Sequence, residues 1–236
     1  MIKNLFKIEN NKSSISSWII NHFPENYESL KYIEPYVGNG SILLNKNPSV
    51  EECVSDSDDS VIEIWKMIKD ENRVIKSQLS KINYNNKNFD LFLNENLKND
   101  FKKNLYNFLL RLMSKNGKCL EFQKLDKSKS RIFFKKVIEE IEEYKNRIKN
   151  IYFLKSDPLE IISKFDSKET FCFCCPPRFD EKKSDINFYT NLTEIAFNFR
   201  GKILFLGNNC KFYKRIFSDW SFEDKKNSKD CIWFNF

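Results

Sequence analysis

A strand that runs directly into a double-glycine turn constrains this chain more than any other feature. Leu30-Lys31-Tyr32-Ile33-Glu34 has the content of a short strand and meets Pro35-Tyr36-Val37-Gly38-Asn39-Gly40-Ser41, where two of the chain's five glycines sit two residues apart. Backbone without a Cβ can turn sharply and approach a ligand closely. The apolar run Ser41-Ile42-Leu43-Leu44 predicts a helix opening at the turn. A second unit follows: Glu51-Glu52-Cys53-Val54-Ser55 reads as a strand ending at Asp56, and Val61, Ile62, Trp65 and Ile68 then recur at helical spacing. A carboxylate at such a strand end can accept hydrogen bonds from ribose hydroxyls.

The alternation then stops. From about residue 71 to 150 there are no clear strands, only two helical stripes: Phe101, Leu105, Phe108 and Leu112, then Phe134, Val137, Ile138, Ile141, Tyr144 and Ile148. Between them lies a polar, basic stretch from Ser114-Lys115-Asn116-Gly117-Lys118 to Ser128-Lys129-Ser130-Arg131. The strand pattern resumes with Ile151–Leu154 ending at Ser156-Asp157, Thr170–Cys175 halted by Pro176-Pro177, Lys202–Leu206 ending at Gly207-Asn208-Asn209, and Cys231–Phe234. Leu159–Phe165 and Phe188–Phe199 read as the intervening helices. This order predicts an α/β fold: a mainly parallel, Rossmann-like sheet with helices on both faces, interrupted by a helical insertion. The expected organisation is an α/β domain over 1–70 and 151–236 and a basic helical insertion over 71–150. Ligands of such a sheet bind at the carboxyl ends of its strands.

Charge supports a polyanionic partner. Of a formal net charge of +7, the stretch Phe101–Lys136 holds eleven Lys/Arg against two Asp/Glu, a net +9 that leaves the remainder at −2. Basic charge concentrated in one segment fits nucleic acid better than a uniformly basic surface does. The seven cysteines have no repeated Cys-x-x-Cys spacing, and there is one histidine, His22. Cys172 and Cys174 alternate along a strand and therefore share a face, so they are read as buried thiols, with no metal. No apolar run reaches the roughly 18 residues needed to span a bilayer. Met1-Ile2-Lys3-Asn4 is followed by no apolar leader core, so the expected location is the cytoplasm or another reducing intracellular compartment, away from membranes.

The strand-end residues resemble, in order and spacing, those of adenine-specific DNA methyltransferases of the Dam type over nearly the whole chain. In that family a lysine-bearing N-terminal segment precedes Glu-Pro-Phe-x-Gly-x-Gly; here Phe6-Lys7-Ile8 through Lys12 precedes Glu34-Pro35-Tyr36-Val37-Gly38-Asn39-Gly40. The family's Asn-Asp strand end is matched by Ser55-Asp56, its target-recognition insertion by the basic helical segment, its next acidic strand end by Ser156-Asp157, and its Asp-Pro-Pro-Tyr by Cys175-Pro176-Pro177-Arg178. The resemblance implies an S-adenosylmethionine site in which Tyr36, Gly38 and Gly40 line the methionine side. Asp56 would hold the ribose, Asp157 the adenine amine, and Lys12 with its neighbours would close the pocket. It implies a nucleic-acid face, for DNA more than RNA, at Arg111, Lys115, Asn116, Lys118, Lys124, Lys127, Lys129 and Arg131. Read residue by residue, Gly38 and Gly40 can equally serve a tight turn, and Asp56 and Asp157 can cap helices.

The chain departs from the family where the chemistry lies. The exocyclic amine of adenine is a poor nucleophile, which the family's Asp and the adjacent Pro carbonyl orient while the Tyr stacks on the flipped base. A cysteine thiol is a weak acceptor, and an arginine offers only a guanidinium plane for stacking. Asp180 lies five residues past Cys175, beyond both prolines. The expectation is a catalytically degenerate methyltransferase-like protein serving as a nucleic-acid-binding or assembly module, alone or beside an active partner subunit, with the cofactor retained or lost. The alternative is an active S-adenosylmethionine-dependent adenine methyltransferase with an atypical loop.

Overall fold

The structure is a computed structural model that describes residues 4–9 and 11–236. The leader reading of Met1-Ile2-Lys3 falls outside the described residues. In chain order the helices are α1 (Ser16–Ile20), α2 (Asp59–Asp70), α3 (Asn72–Leu79), α4 (Asn86–Asn94), α5 (Asp100–Met113), α6 (Lys127–Ile148), α7 (Pro158–Lys164), α8 (Ile186–Phe197) and α9 (Lys211–Ile216). The strands are β1 (Lys31–Glu34), β2 (Glu51–Val54), β3 (Tyr152–Phe153), β4 (Thr170–Cys174), β5 (Lys202–Asn208), β6 (Ser221–Asp224) and β7 (Asp230–Phe234). Two compact units emerge: a helical one of Met1–Ser16, Gly38–Asn45 and Asp58–Asn150, and a sheet one of Ser17–Val37, Lys46–Ser57 and Ile151–Phe236. The double-glycine turn and α2 therefore group with the helices, whereas a boundary at residue 70 puts them with the sheet.

The sheet unit carries seven strands in the order β3-β2-β1-β4-β5-β7-β6, with β1 to β5 parallel and β7 antiparallel to both its neighbours. This is the mainly parallel α/β sheet the alternation predicts. The strand order reverses between β1 and β4, which makes their carboxyl ends the switch point where such sheets bind ligands. Alternation along β4 holds as expected: Cys172 and Cys174 join a core formed with Ile161 and Ile162 of α7, Leu192 and Ala196 of α8 and Tyr213 of α9. Phe171 and Phe173 point the other way, onto Phe23. The edge strand β6 has every residue exposed, so no apolar alternation signals it.

In the helical unit α2 packs on α5 and α3 on α6. Each of the longer helices starts at a short polar cap: Asp58 accepts from Ser60 N, Asn85 from Asn88 N, Asn99 from Lys102 N and Asp126 from Lys129 N. Leu105, Phe108 and Leu112 of one expected stripe, and Phe134, Val137, Ile141, Tyr144 and Ile148 of the other, are buried. The helix expected at Ser41–Leu44 is instead a buried run of turns. Side chains take the carbonyls a helix would use: Arg147 Nη2 donates to Leu43 O at 2.6 Å, and Asn45 Nδ2 to Ser41 O at 3.0 Å. Asn47-Pro48 then denies the segment length. Among the described residues no helix is long and apolar enough to cross a membrane.

Candidate active site

Along β1 and β2 lies a buried group of ionisable side chains that reaches Glu34, the last residue of β1. Tyr32 donates to Glu34 Oε2 at 2.8 Å, and Lys46 Nζ pairs with Glu52 Oε1 at 2.5 Å while lying 4.0 Å from the Tyr32 ring centroid. Tyr32 and Glu34 lie two apart on β1, and Glu52 of β2 is in register with Tyr32, so the three share a face. Burial pushes the Glu34 carboxyl up to about 8; the Tyr32 hydrogen bond and Lys46 pull it down, and Glu52 and Asp56 push it up. Glu34 opens the family-like run in the sequence, but Lys46 and Glu52 do not stand out there, because a charged residue's burial has no local signature.

Immediately beyond, Ser55 N donates to Glu34 O and Val37 N to Ser55 O, which ties the ends of β1 and β2 together. Tyr36, Asp56 and Asp157 are brought into one electrostatic neighbourhood: burial first, then Cys174, Asp157, Tyr189 and Asp56, hold the Tyr36 phenol far above its ordinary value, so it stays protonated. Tyr36 is 9 % exposed, and its hydroxyl is buried without a hydrogen-bond partner. Asp157 caps α7 by accepting from Leu159 N at 2.7 Å. That capping accounts for an aspartate there without a ligand.

The loop after β4 has Cys175-Pro176-Pro177-Arg178 where the resemblance places Asp-Pro-Pro-Tyr. Cys175 is partly exposed, Pro176 is buried, and the Pro177 carbonyl accepts from Tyr189 OH at 2.8 Å. The Arg178 guanidinium pairs with Asp230 Oδ1 at 2.7 Å, at the start of β7. Asp180 is engaged locally: its Oδ1 accepts from Lys182 N at 2.9 Å and its carbonyl closes the turn to Ser184. Burial raises the Cys172 and Cys174 thiols well above their usual range, so both are neutral. Asn208 at the end of β5 also has a buried side-chain oxygen without a partner, a feature the sequence did not announce.

The remaining residues expected of a cofactor site belong to the helical unit. Gly38 and Gly40 adopt φ of +51° and +71°. A Cβ on Gly38 would meet the Ile8 side chain, and one on Gly40 would lie 2.9 Å from the Trp65 ring. Trp65 Nε1 donates to Gly38 O at 2.9 Å, and Asn39 Nδ2 to Phe6 O at 3.2 Å. Backbone conformation and packing thus require both glycines whether or not a ligand approaches them. Gly40→Ala is expected to destabilise the protein by about 1–2 kcal/mol from the left-handed backbone alone, read as a lowered urea midpoint; an unchanged midpoint would contradict it. Lys12 precedes the short turn Ser13–Ile15. In the same lysine-bearing segment the Lys7 ammonium donates to Leu112 O, Ser114 O and Gln123 Oε1, closing the end of α5.

The basic residues divide. Arg111 is no part of an open face: its side chain is 12 % exposed, pairs with Asp58 Oδ2 at 2.6 Å and donates to Ser60 Oγ at 3.1 Å. Its partner caps α2, so the pair links α5 to α2. Lys115, Asn116, Lys118, Lys124, Lys127, Lys129 and Arg131 are exposed. Lys115, Lys118 and Lys129 make surface pairs with Glu121, Glu9 and Asp126, contacts of small energy.

A family model described as D12 class N6 adenine-specific DNA methyltransferase matches residues 11–215. No curated protein matches the chain. Among solved structures, the chain is similar to a conserved hypothetical protein of Streptococcus pyogenes, with a TM-score of 0.40, 9% identity, 95% of this chain covered and 93% of that chain. It is also similar to the rRNA methyltransferase aviRa from Streptomyces viridochromogenes, with a TM-score of 0.44, 8% identity, 94% of this chain covered and 83% of that chain.

Proposed function

The chain belongs to the D12 class N6 adenine-specific DNA methyltransferase family, and from that premise we propose that it is a nucleic-acid-binding member in which methyl transfer has been lost or strongly weakened. The observation that carries this reading is the loop after β4: Cys175 stands where an acceptor must orient the adenine amine, and the Arg178 guanidinium is paired with Asp230. Bound S-adenosylmethionine would supply an electrophilic methyl. Tyr36, Asp56 and Asp157 fit it as donors and acceptors at the switch point, supported by the buried, unpartnered Tyr36 hydroxyl. Gly38, Gly40 and Lys12 are assigned to the same cofactor by resemblance alone. At the base position a thiol is a weak acceptor, and Asp157 and Asp180 are engaged in a cap and a turn. The amine would thus stay planar, with its lone pair in the ring.

The basic loop and the start of α6 would hold the phosphate backbone, with the 71–150 segment as the recognition part. Duplex DNA is expected to bind at low salt and to weaken steeply as salt rises. The quadruple reversal Lys124→Glu, Lys127→Glu, Lys129→Glu and Arg131→Glu should flatten the slope of log K against log salt by about 3–4, at roughly 0.9 per phosphate contact. Fluorescence anisotropy across a salt series reads this. Identical slopes for the two proteins would remove these residues from the interface. An active enzyme with an atypical loop is the second reading, favoured by the acidic strand ends Asp56 and Asp157. Direct measurement of methyl transfer separates the two.

A further inference from the structure

We propose that the exposed face of α6 is a self-complementary docking surface, on which a second copy of this chain lies antiparallel to the first. This pairing is independent of the cofactor and of nucleic acid. The starting observation is a charge order that no partner within the helical unit explains. Residues 127–136 hold five Lys/Arg and no Asp/Glu, and residues 137–143 hold four Glu and no Lys/Arg. The buried side of α6 is formed by Phe134, Val137, Ile141, Tyr144 and Ile148. Ile132, Lys135, Lys136, Glu139 and Glu143 fall on the opposite side by helical spacing, and all five are exposed. Glu142 of the same stripe pairs with Lys76 of α3. Lys135, Lys136, Glu139 and Glu143 make no ion pair among the described residues. Lys135 and Glu139 are four apart, but lysine on the N-terminal side of glutamate is the weaker order for a pair within one helix.

An antiparallel second copy satisfies these groups. With a two-fold axis midway between Lys136 and Glu139, Lys136 of each copy would meet Glu139 of the other, and Lys135 would lie within one helical turn of the other copy's Glu139 and Glu143. A parallel alignment instead sets lysine on lysine and glutamate on glutamate, which repel. The same patch serves both copies, so the contact closes at two and does not grow into a chain. A nucleic acid is the poorer occupant of this stripe, because its phosphates would lie against Glu139 and Glu143. Ile132, 43 % exposed, is the one large apolar side chain that α6 exposes among the described residues. Exposed ion pairs are each of small energy, so the dimer is of the weak, salt-sensitive kind.

Sedimentation velocity of the full chain, at about 100 µM protein and about 0.1 M salt, where charges act over about 10 Å, tests the pairing. Wild type should show a monomer–dimer equilibrium. Association should weaken at least about tenfold at about 1 M salt, where that reach falls to about 3 Å. The acidic variant Lys135→Glu, Lys136→Glu and the basic variant Glu139→Lys, Glu143→Lys should each be monomeric, since like charges then face each other. An equimolar mixture of the two should form a heterodimer. The variant that carries all four changes should dimerise as wild type does, which separates lost pairing from lost folding. Lysine and glutamate have similar helix propensity, so unfolding midpoints should match wild type throughout. Lys124, Lys127, Lys129 and Arg131 are unchanged in every variant, so affinity for DNA is read separately. Wild type that stays monomeric, an acidic or basic variant that still dimerises alone, a mixture that does not associate, or species larger than a dimer would each overturn the proposal.

Discussion

The Cys175→Asp, Arg178→Tyr double variant is expected to methylate adenine in duplex DNA about a thousandfold or more faster than the wild-type chain. Two separable losses set the size. Removing an oriented polar contact that operates in the transition state costs roughly 2.7–4 kcal/mol. Losing an aromatic platform under a flipped base costs about 1–3 kcal/mol, and Arg178 recovers little of it while its guanidinium is held 2.7 Å from Asp230. At 1.36 kcal/mol per tenfold, the smaller ends of the two ranges together already approach a factor of a thousand. The fold should accept both changes, since Cys175 is only partly buried and Arg178 is exposed. Freeing Asp230 leaves it the Ser228 hydroxyl at 3.0 Å. Transfer of labelled methyl from S-adenosylmethionine to an adenine-containing duplex reads the outcome. The single variants apportion it: Cys175→Asp alone should recover the larger share. Wild-type transfer equal to that of the double variant would show that sulfur at this position does not limit the reaction.

What the sequence made legible were features with local causes. The strand ends at Glu34, Val54 and Cys174 follow from short apolar runs stopped by turn residues, and the stripes of α5 and α6 follow from a helical period that survives burial. Features that depend on partners far along the chain were not legible. Ser41–Leu44 has the composition of a helix start, but Arg147, 104 residues away, takes the Leu43 carbonyl. Arg111 looks like one more cation in a basic segment until Asp58, 53 residues upstream, holds it inside the helical unit. At the candidate site, the residue types at 36, 56, 157 and 175–178 could be read in order. Whether each side chain was already engaged could not: Asp157 as a cap, Arg178 in an ion pair and the Tyr36 hydroxyl without a partner are all outcomes of packing.

The same contrast between a visible residue and its invisible environment makes Lys46 the most consequential stability position outside the catalytic loop. Lys46→Met is expected to destabilise the protein by about 3–5 kcal/mol, the usual cost of stripping one partner from a buried ion pair. The Lys46 ammonium is enclosed by Glu52, the Asn47 carbonyl, the Ser49 hydroxyl and the Tyr32 ring. Without it, Glu52 and Glu34 would face each other in a buried site with no cation between them. The pH dependence follows from Glu34, whose folded value of about 8 lies above the ordinary 4.5. Between those two values the folded state keeps a proton that the unfolded chain has released, so stability falls as pH rises and levels off above about 8. Lys46 is one of the groups that pull the Glu34 value down, so its removal should extend that fall to higher pH, making the variant's deficit larger at pH 8 than at pH 5. Urea unfolding at the two pH values measures this. A companion Lys46→Met, Glu52→Leu variant tests the cause: if the deficit comes from an uncompensated carboxylate, removing that carboxylate should restore most of the loss. A double variant as unstable as the single one would instead assign the loss to packing around the lysine stem.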